Sequence, residues 1–427
     1  MRVFKYPDEG QYREILRRPQ MDSVELYDRI KEVLNRVRTD GDKAVKEFTR
    51  QFDGVELSSL VVEENEILEA GNQVSRELQG AIRLAAGNIE KFHLAQHTKE
   101  EVIETMPGVR CWRVSIGIEK VGIYIPGGTA PLFSTILMLA IPAKIAGCKE
   151  IILCSPPDRD GNLHPAILFA AALTGVTKIY KVGGAQAIAA MCYGTQSVPA
   201  VYKIFGPGNQ YVTAAKQLVQ QQGVSIDMPA GPSELCVLAD RTASPSFVAA
   251  DLLSQAEHGA DSQVLLVTTD EALVAATLRE LDKQLAALPR KEMAARALQN
   301  SSAVIVRDLD KAIDLVNEYA PEHLVIMTAN EDDIAARISN AGSVFIGAYS
   351  PESAGDYASG TNHTLPTNGF ARAYGGVSVD SFVKKITYQK LTKAGLRVIG
   401  DAVQIMAGAE GLDAHANAVK LRLNEVG

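Results

Sequence analysis

Apolar residues recur at helical spacing from Ser23 to about Gln96. Ser23 is placed to cap a helix running to Thr39. Asp40-Gly41-Asp42 breaks and restarts it, and SRELQGAIRLAAGNIEKFHLA continues the period. Residues 1–20 predict a short helical arm ahead of this region. At Val109 the period changes to two, so VRCWRVSI and KVGIYIPGG predict strands. From there to about Ile346 strands alternate with helices. IGIEKVGIYI precedes Leu132–Ala146, EIILCS precedes Pro165–Leu173, KIYKVGG precedes Gln186–Met191, VYKIFGPG precedes Asn209–Gln220, and LCVLAD precedes Ser244–His258. QVLLVTT, AVIVRDL, LVIMTA and SVFIGA follow, each with helical neighbours. This alternation predicts an α/β fold with parallel sheets. The strands are too many for one compact sheet, so two lobes are expected, with a joint at the Pro/Gly-rich segment Ile226–Glu234. After Phe345 the sheet pattern stops. Ser350–Gly376 is a long polar loop that also holds Glu352, Asp356 and His363, a mixture that favours function. The tail from about Ser381 is mostly helical and predicts a small module or an arm that docks elsewhere.

A chain of 427 residues is too long for one simple core. Its formal net charge of −8 argues against non-specific nucleic-acid binding, which wants a basic face. The most apolar run, Leu132–Ala146, is interrupted by Ser134, Thr135, Pro142 and Lys144, and suits a buried helix better than a membrane span. The N-terminal MRVFKYPDEGQYREILRRP has no apolar core, so no signal peptide is expected. Cys111, Cys148, Cys154, Cys192 and Cys236 form no C-x-x-C pair and read as reduced core residues of a cytoplasmic protein.

Several short patterns carry chemistry. DLLSQAEHG, Asp251–Gly259, reads as a helix end with Gly259 as its stop. Gln255 and His258 are three apart, so both leave one face at the negative end of the helix dipole, which favours a cation. Alone, the pair is a weak metal signal and reads rather as an amide and an imidazole satisfied at a helix end. YAPEHL sets Glu322 beside His323 at the edge of a predicted parallel sheet, where acid and base can serve two proton transfers. Three strand–turn–helix junctions carry glycine: Pro126-Gly127-Gly128, Gly183-Gly184-Ala185-Gln186 and Gly206-Pro207-Gly208-Asn209. Each would expose backbone N–H groups to a phosphate, although none is G-x-G-x-x-G. His93 and His97 lie four apart, have no acidic partner near in sequence, and predict a solvated helix face.

In this order and at these separations, IDMPAGPSE, SQAEHGADSQ, YAPEHL, ESAGDYASGTNHTLPT and EGLDAHANAV resemble the histidinol dehydrogenase family, from about residue 20 to the end. The resemblance implies oxidation of L-histidinol to L-histidine through L-histidinaldehyde with two NAD⁺, the final steps of histidine biosynthesis. It implies one zinc per subunit on Gln255, His258, Asp356 and His415, His323 as proton acceptor, and Glu322 activating water for the second oxidation. Two imidazoles, a carboxylate and an amide oxygen leave positions open for a substrate with imidazole and amino nitrogens. Ser233, Glu410 and, less directly, His363 match substrate contacts, to which Gln255, His258, His323, Asp356 and His415 also belong. Tyr124, Gln186 and Asn209 match NAD contacts.

The implied architecture is two incomplete Rossmann-like lobes with parallel sheets. The arm is 1–20, the first lobe 21–123 with 235–376, and the NAD-binding lobe 124–234. The module 377–427 is swapped between the subunits of a homodimer with shared active sites. Neither a nucleic-acid nor a membrane partner is expected. One alternative is a related zinc- and NAD-dependent dehydrogenase acting on another small alcohol, such as a sulfonated propanediol. A sulfonate would want an added cation, and Arg372 lies in the polar loop. A non-catalytic nucleotide- or metal-binding protein is the other; it would lack a working acid–base pair.

Overall fold

The computed structural model describes residues 1–19, 24–97, 100–127, 131–229 and 231–425. Ser23, Gly128 and Ala230, each named above in a cap, a glycine junction or the expected joint, lie outside them. The chain forms two compact units, Met1–Ala95 with Ile118–Phe382, and Gln96–Gly117 with Val383–Gly427.

The first unit holds two wholly parallel sheets. One has six strands, in the order Arg2–Lys5, Ser302–Ile305, Gln263–Thr268, Glu234–Ala239, His323–Met327 and Ser343–Ile346. The other has five, in the order Lys178–Lys181, Glu150–Ser155, Lys120–Tyr124, Lys203–Phe205 and Ser225–Ile226. Successive strand residues alternate between faces. Leu235, Val237 and Ala239 pack with Val248, Leu252 and Leu273 on one side, while Cys236 and Leu238 meet Ile313, Val316 and Ile15 on the other. Both faces are covered at the middle of this sheet, so Glu234–Ala239, Gln263–Thr268 and His323–Met327 are buried at every position, as central strands of a parallel sheet are.

The expected buried helix is present as Phe133–Ile145, with ten of its residues buried. Pro142 lies inside it and supplies no N–H to the Met138 carbonyl one turn back. The side chain of Asn362 fills that role, its Nδ2 donating to Met138 O at 2.6 Å. His93 joins the same network. Its Nδ1 donates to Ile89 O at 2.8 Å, and Nε2 accepts from Asn362 Nδ2 at 3.3 Å. His93 is therefore fully buried rather than solvated, while His97 is exposed.

Three expectations about organisation are corrected. The arm begins with a strand, Arg2–Lys5, paired to Ser302–Ile305, before the Glu9–Ile15 helix that Asp8 caps. The helices between Val24 and Leu94, expected with the six-stranded sheet, pack on the five-stranded one. Val33, Val37 and Phe48 join Ile188 and Val212, and Ile82 and Ile89 join Ile136. Their periodicity marks an apolar face without naming its partner. The tail opens with a nine-residue strand, Val383–Leu391, antiparallel to Val109–Gly117, so VRCWRVSI belongs to the second unit. That unit continues with the helices Lys393–Ala409 and Asp413–Asn424. All five cysteines are free thiols, and no described helix is long and apolar enough to cross a membrane.

Candidate active site

Glu322 and His323 stand where the Leu309–Tyr319 helix gives way to the strand His323–Met327. Ala320, left-handed at φ 50°, makes the turn between them. They lie at the amino end of the strand, not the carboxyl end at which α/β ligand sites concentrate. His323 pairs with Leu235 of the neighbouring strand, which brings Glu234 alongside. The Glu234 N–H donates to Glu322 Oε2 at 2.8 Å, and His323 Nδ1–H donates to the Glu234 carbonyl at 3.1 Å. That second bond sets the tautomer. It leaves Nε2 as a buried nitrogen with no hydrogen-bond partner, 3.5 Å from Asp356 Oδ1.

The Glu352–Tyr357 helix supplies two carboxylates from one face, since Glu352 and Asp356 are four apart. Glu352 is buried. Its Oε1 lies 3.5 Å from His323 Nδ1, and its Oε2 accepts from Ser254 Oγ at 3.1 Å. Burial pushes the Glu352 carboxyl up to about 8 and the Glu322 carboxyl up to about 7. Burial alone would lower His323, but Glu322, Glu352 and Asp356 outweigh it and raise the imidazole to about 10. Burial would raise Asp356, yet His323, His363 and His258 hold it below its ordinary value.

The helix Pro245–Ala256 ends two residues earlier than expected. Glu257 is its cap, and His258 and Gly259 lie in the following turn. Gln255 is buried with neither amide atom hydrogen-bonded. His258 is exposed, and its Nδ1 donates to Ser254 O at 2.9 Å, which keeps Nε2 free as a ligand atom. His363 Nδ1 donates to Asp356 O at 2.8 Å, and its Nε2 is 3.1 Å from Thr135 Oγ1. Ser233, half-buried, directly precedes Glu234.

These residues fit a divalent cation. A buried amide without partners, a histidine held by its second nitrogen and a carboxylate held below its ordinary value are donor types that a divalent cation takes. Donor atoms of His323, Glu352 and Asp356 also lie within 4.8 Å of one another. Glu352 thus belongs to the site although the sequence reading assigned it no role. Its spacing four before Asp356 was the available signal.

Tyr124, Gln186 and Asn209 gather at the carboxyl end of the five-stranded sheet. The Tyr124 hydroxyl accepts from Gly184 N at 3.1 Å. Gln186 is buried with both amide atoms unpartnered, and exposed Asn209 caps its helix through Tyr211 N and Val212 N. Gly206, at φ 124°, approaches so closely that a Cβ would stand 2.0 Å from Tyr124 O. The buried pair Lys216–Asp227 holds this glycine by both sides, Lys216 Nζ donating to its carbonyl and Asp227 Oδ2 accepting its N–H. Glu410 and His415 belong to the second unit, where both are exposed. Glu410 caps one helix and His415 sits in the first turn of the next. Arg372 is engaged by the Glu318 carbonyl and carboxylate.

The profile of the family described as histidinol dehydrogenase matches residues 16–423. The chain belongs to the histidinol dehydrogenase family. It is 61% identical over 424 residues to a histidinol dehydrogenase of Bacteroides thetaiotaomicron, covering 99% of each chain. It is 53% identical to the chloroplastic histidinol dehydrogenase of Arabidopsis thaliana, over 96% of this chain and 88% of that one. The crystal structure of histidinol dehydrogenase from Elizabethkingia anophelis superposes with a TM-score of 0.98 at 53% identity, covering 100% of this chain and 98% of that one. The chain is accordingly an oxidoreductase of the histidinol dehydrogenase type, built on a mixed α/β fold with parallel sheets.

Proposed function

We propose that the protein oxidises L-histidinol to L-histidine through L-histidinaldehyde, in two successive two-electron steps that each use one NAD⁺. The reading is carried by the bare Nε2 of His323, which faces Asp356 while Nδ1 is tied back to a main-chain carbonyl. Zinc on Gln255, His258, Asp356 and His415 would supply a Lewis-acidic anchor for substrate nitrogens, and NAD⁺ at Tyr124, Gln186 and Asn209 the electron acceptor.

The surrounding carboxylates hold the His323 imidazole protonated. His323 releases that proton where a cation bound among them offsets their charge, and then accepts the hydroxyl proton at Nε2 in the first oxidation. Water adds to the aldehyde while protonated His323 returns its proton to the carbonyl oxygen, giving a gem-diol. His323, neutral again, accepts a hydroxyl proton of the gem-diol in the second oxidation. Glu322, whose carboxyl titrates near neutral pH, takes the proton from the adding water. A second reading of Glu322 is favoured by its position. It approaches the Nδ1 side of His323, at 3.7 Å, and so can orient the ring in both steps. Ser233 and His363 position the substrate. Glu410 and His415 are assigned to the active site of a second copy, in a cytoplasmic homodimer whose C-terminal modules are exchanged.

The test is NADH formed per molecule of limiting L-histidinol, with zinc-loaded protein and excess NAD⁺. Two per molecule, lost on chelation and restored by zinc, is the expected result. One per molecule would mean that the aldehyde escapes, and no turnover by metal-loaded protein would overturn the proposal.

A further inference from the structure

We infer that Glu234, clamped by Arg18 of the N-terminal arm, is the positioning residue for both members of the acid–base pair. The inference rests on assigning proton transfer to Glu322 and His323. Both groups are held by one residue: the Glu234 N–H bonds Glu322, and the Glu234 carbonyl bonds His323. A small rotation of the backbone at Glu234 would therefore displace the acid and the base together.

Strand pairing alone holds this position weakly. Glu234 is the first residue of its strand, and irregular chain precedes it. Its side chain provides the anchor. It is 2% exposed and accepts from Arg18 Nε, from Arg18 Nη2 at 2.9 Å and from Asn368 N at 2.7 Å. Such a two-point guanidinium–carboxylate contact fixes orientation as well as distance. Arg18 Nη2 also donates to Tyr319 O at 2.6 Å, and the guanidinium lies over the Tyr319 ring at 4.2 Å. Tyr319 ends the helix that delivers Glu322 and His323. One side chain thus ties together the two backbone segments whose relative placement orients the acid–base pair.

A purely structural ion pair would lower stability when broken and leave turnover per folded molecule unchanged. A positioning pair lowers kcat in both oxidations with little effect on KM, because the geometry it secures matters most in the transition state. The structure also allows chemical rescue. Arg18 lines a cavity of about 690 Å³, with Glu9, Tyr12, Arg13 and Glu318 among its walls. A free guanidinium ion can reach Glu234 from there once the Arg18 side chain is removed.

The experiment uses the full-length zinc-loaded protein with Arg18→Ala, Arg18→Lys and, as reference, His323→Asn. Arg18→Ala is expected to lose at least tenfold in kcat for both oxidations. Its KM for L-histidinol and NAD⁺ should stay within about twofold and its zinc content should be unchanged. Guanidinium chloride at tens of millimolar should restore kcat at least threefold, saturably, where equal sodium chloride does not. Arg18→Lys should fall between, since an ammonium cannot make the two-point contact. Unchanged kcat in folded Arg18→Ala overturns the inference, as does a loss confined to KM or zinc content, or a loss that guanidinium does not relieve. If Arg18→Ala does not fold, Arg18→Lys with kcat within twofold of the parent overturns it. His323→Asn turning over at the parent rate would instead remove the acid–base assignment itself. An inactive His323→Asn beside a fully active Arg18→Ala removes only the positioning role.

Discussion

Replacing Asn362 by Ala strands three buried partners at once. Met138 O loses a donor at 2.6 Å, Thr364 N loses an acceptor at 3.0 Å, and His93 Nε2 loses a weaker contact at 3.3 Å. His93 and Met138 are wholly buried, so water does not replace the lost bonds. A buried neutral group left unpaired costs about 1–3 kcal/mol. Two full bonds and one long one give a destabilisation of roughly 3–5 kcal/mol. The share owed to Met138 has an identifiable origin, because its carbonyl is free only where residue 142 is proline. In a Pro142→Ala background the N–H of residue 142 satisfies that carbonyl from within the helix. Asn362→Ala should then cost about 1–2 kcal/mol less than in the parent. Urea unfolding of the parent, both single variants and the double variant closes the cycle, compared at equal m-values. A coupling within about 0.5 kcal/mol of zero would refute the argument that Asn362 replaces the missing proline donor.

Glu322→Gln should keep the first oxidation and impair the second, giving one NADH per L-histidinol. Equal slowing of both steps would move the assignment to ring orientation. Mixing His415→Ala chains with His323→Ala chains, each inactive alone, should recover part of the activity if sites are shared between subunits; recovery no better than either parent sinks that idea. His258→Ala should stay folded but retain far less than one zinc per chain after dialysis, and full zinc retention would exclude His258 as a ligand. Asp251 is buried, with Oδ2 unpartnered, and burial lifts its carboxyl to about 7. The folded chain therefore keeps a proton that the unfolded chain releases above about pH 4, so stability falls as pH rises from there through 7. Asp251→Asn should remove that fall, a gain at pH 8 of at most about 4 kcal/mol for three pKa units. An unfolding midpoint at pH 8 no higher than the parent's would contradict it.

The local sequence by itself determined the kind of element nearly everywhere between Val109 and Ile346. Strict alternation of apolar runs with helical periods leaves few folds other than parallel α/β, and the strands lie where those runs are. The candidate site residues within the first unit were also named from the sequence, because long motifs carry Gln255, His258, Glu322, His323 and Asp356 at set separations. Partner choice was not legible. Periodicity states which face of a helix is apolar, yet the helices from Val24 to Leu94 could have covered either sheet. Only packing assigned them to the five-stranded one. Arg2–Lys5 and Val383–Leu391 are strands because distant edges were free to pair, at Ser302–Ile305 and Val109–Gly117. His93 looked solvated because its partner Asn362 lies 269 residues away. The same holds at the candidate site. Glu234 and Arg18 are ordinary charged residues in sequence, and Glu352 one carboxylate in a polar loop. Glu234 and Glu352 are buried beside Glu322 and His323, with Arg18 on Glu234, only once the strands of Glu234 and His323 lie side by side. Local sequence encodes conformation and apolar faces, whereas the neighbours that tune a buried charge are brought in by long-range contacts.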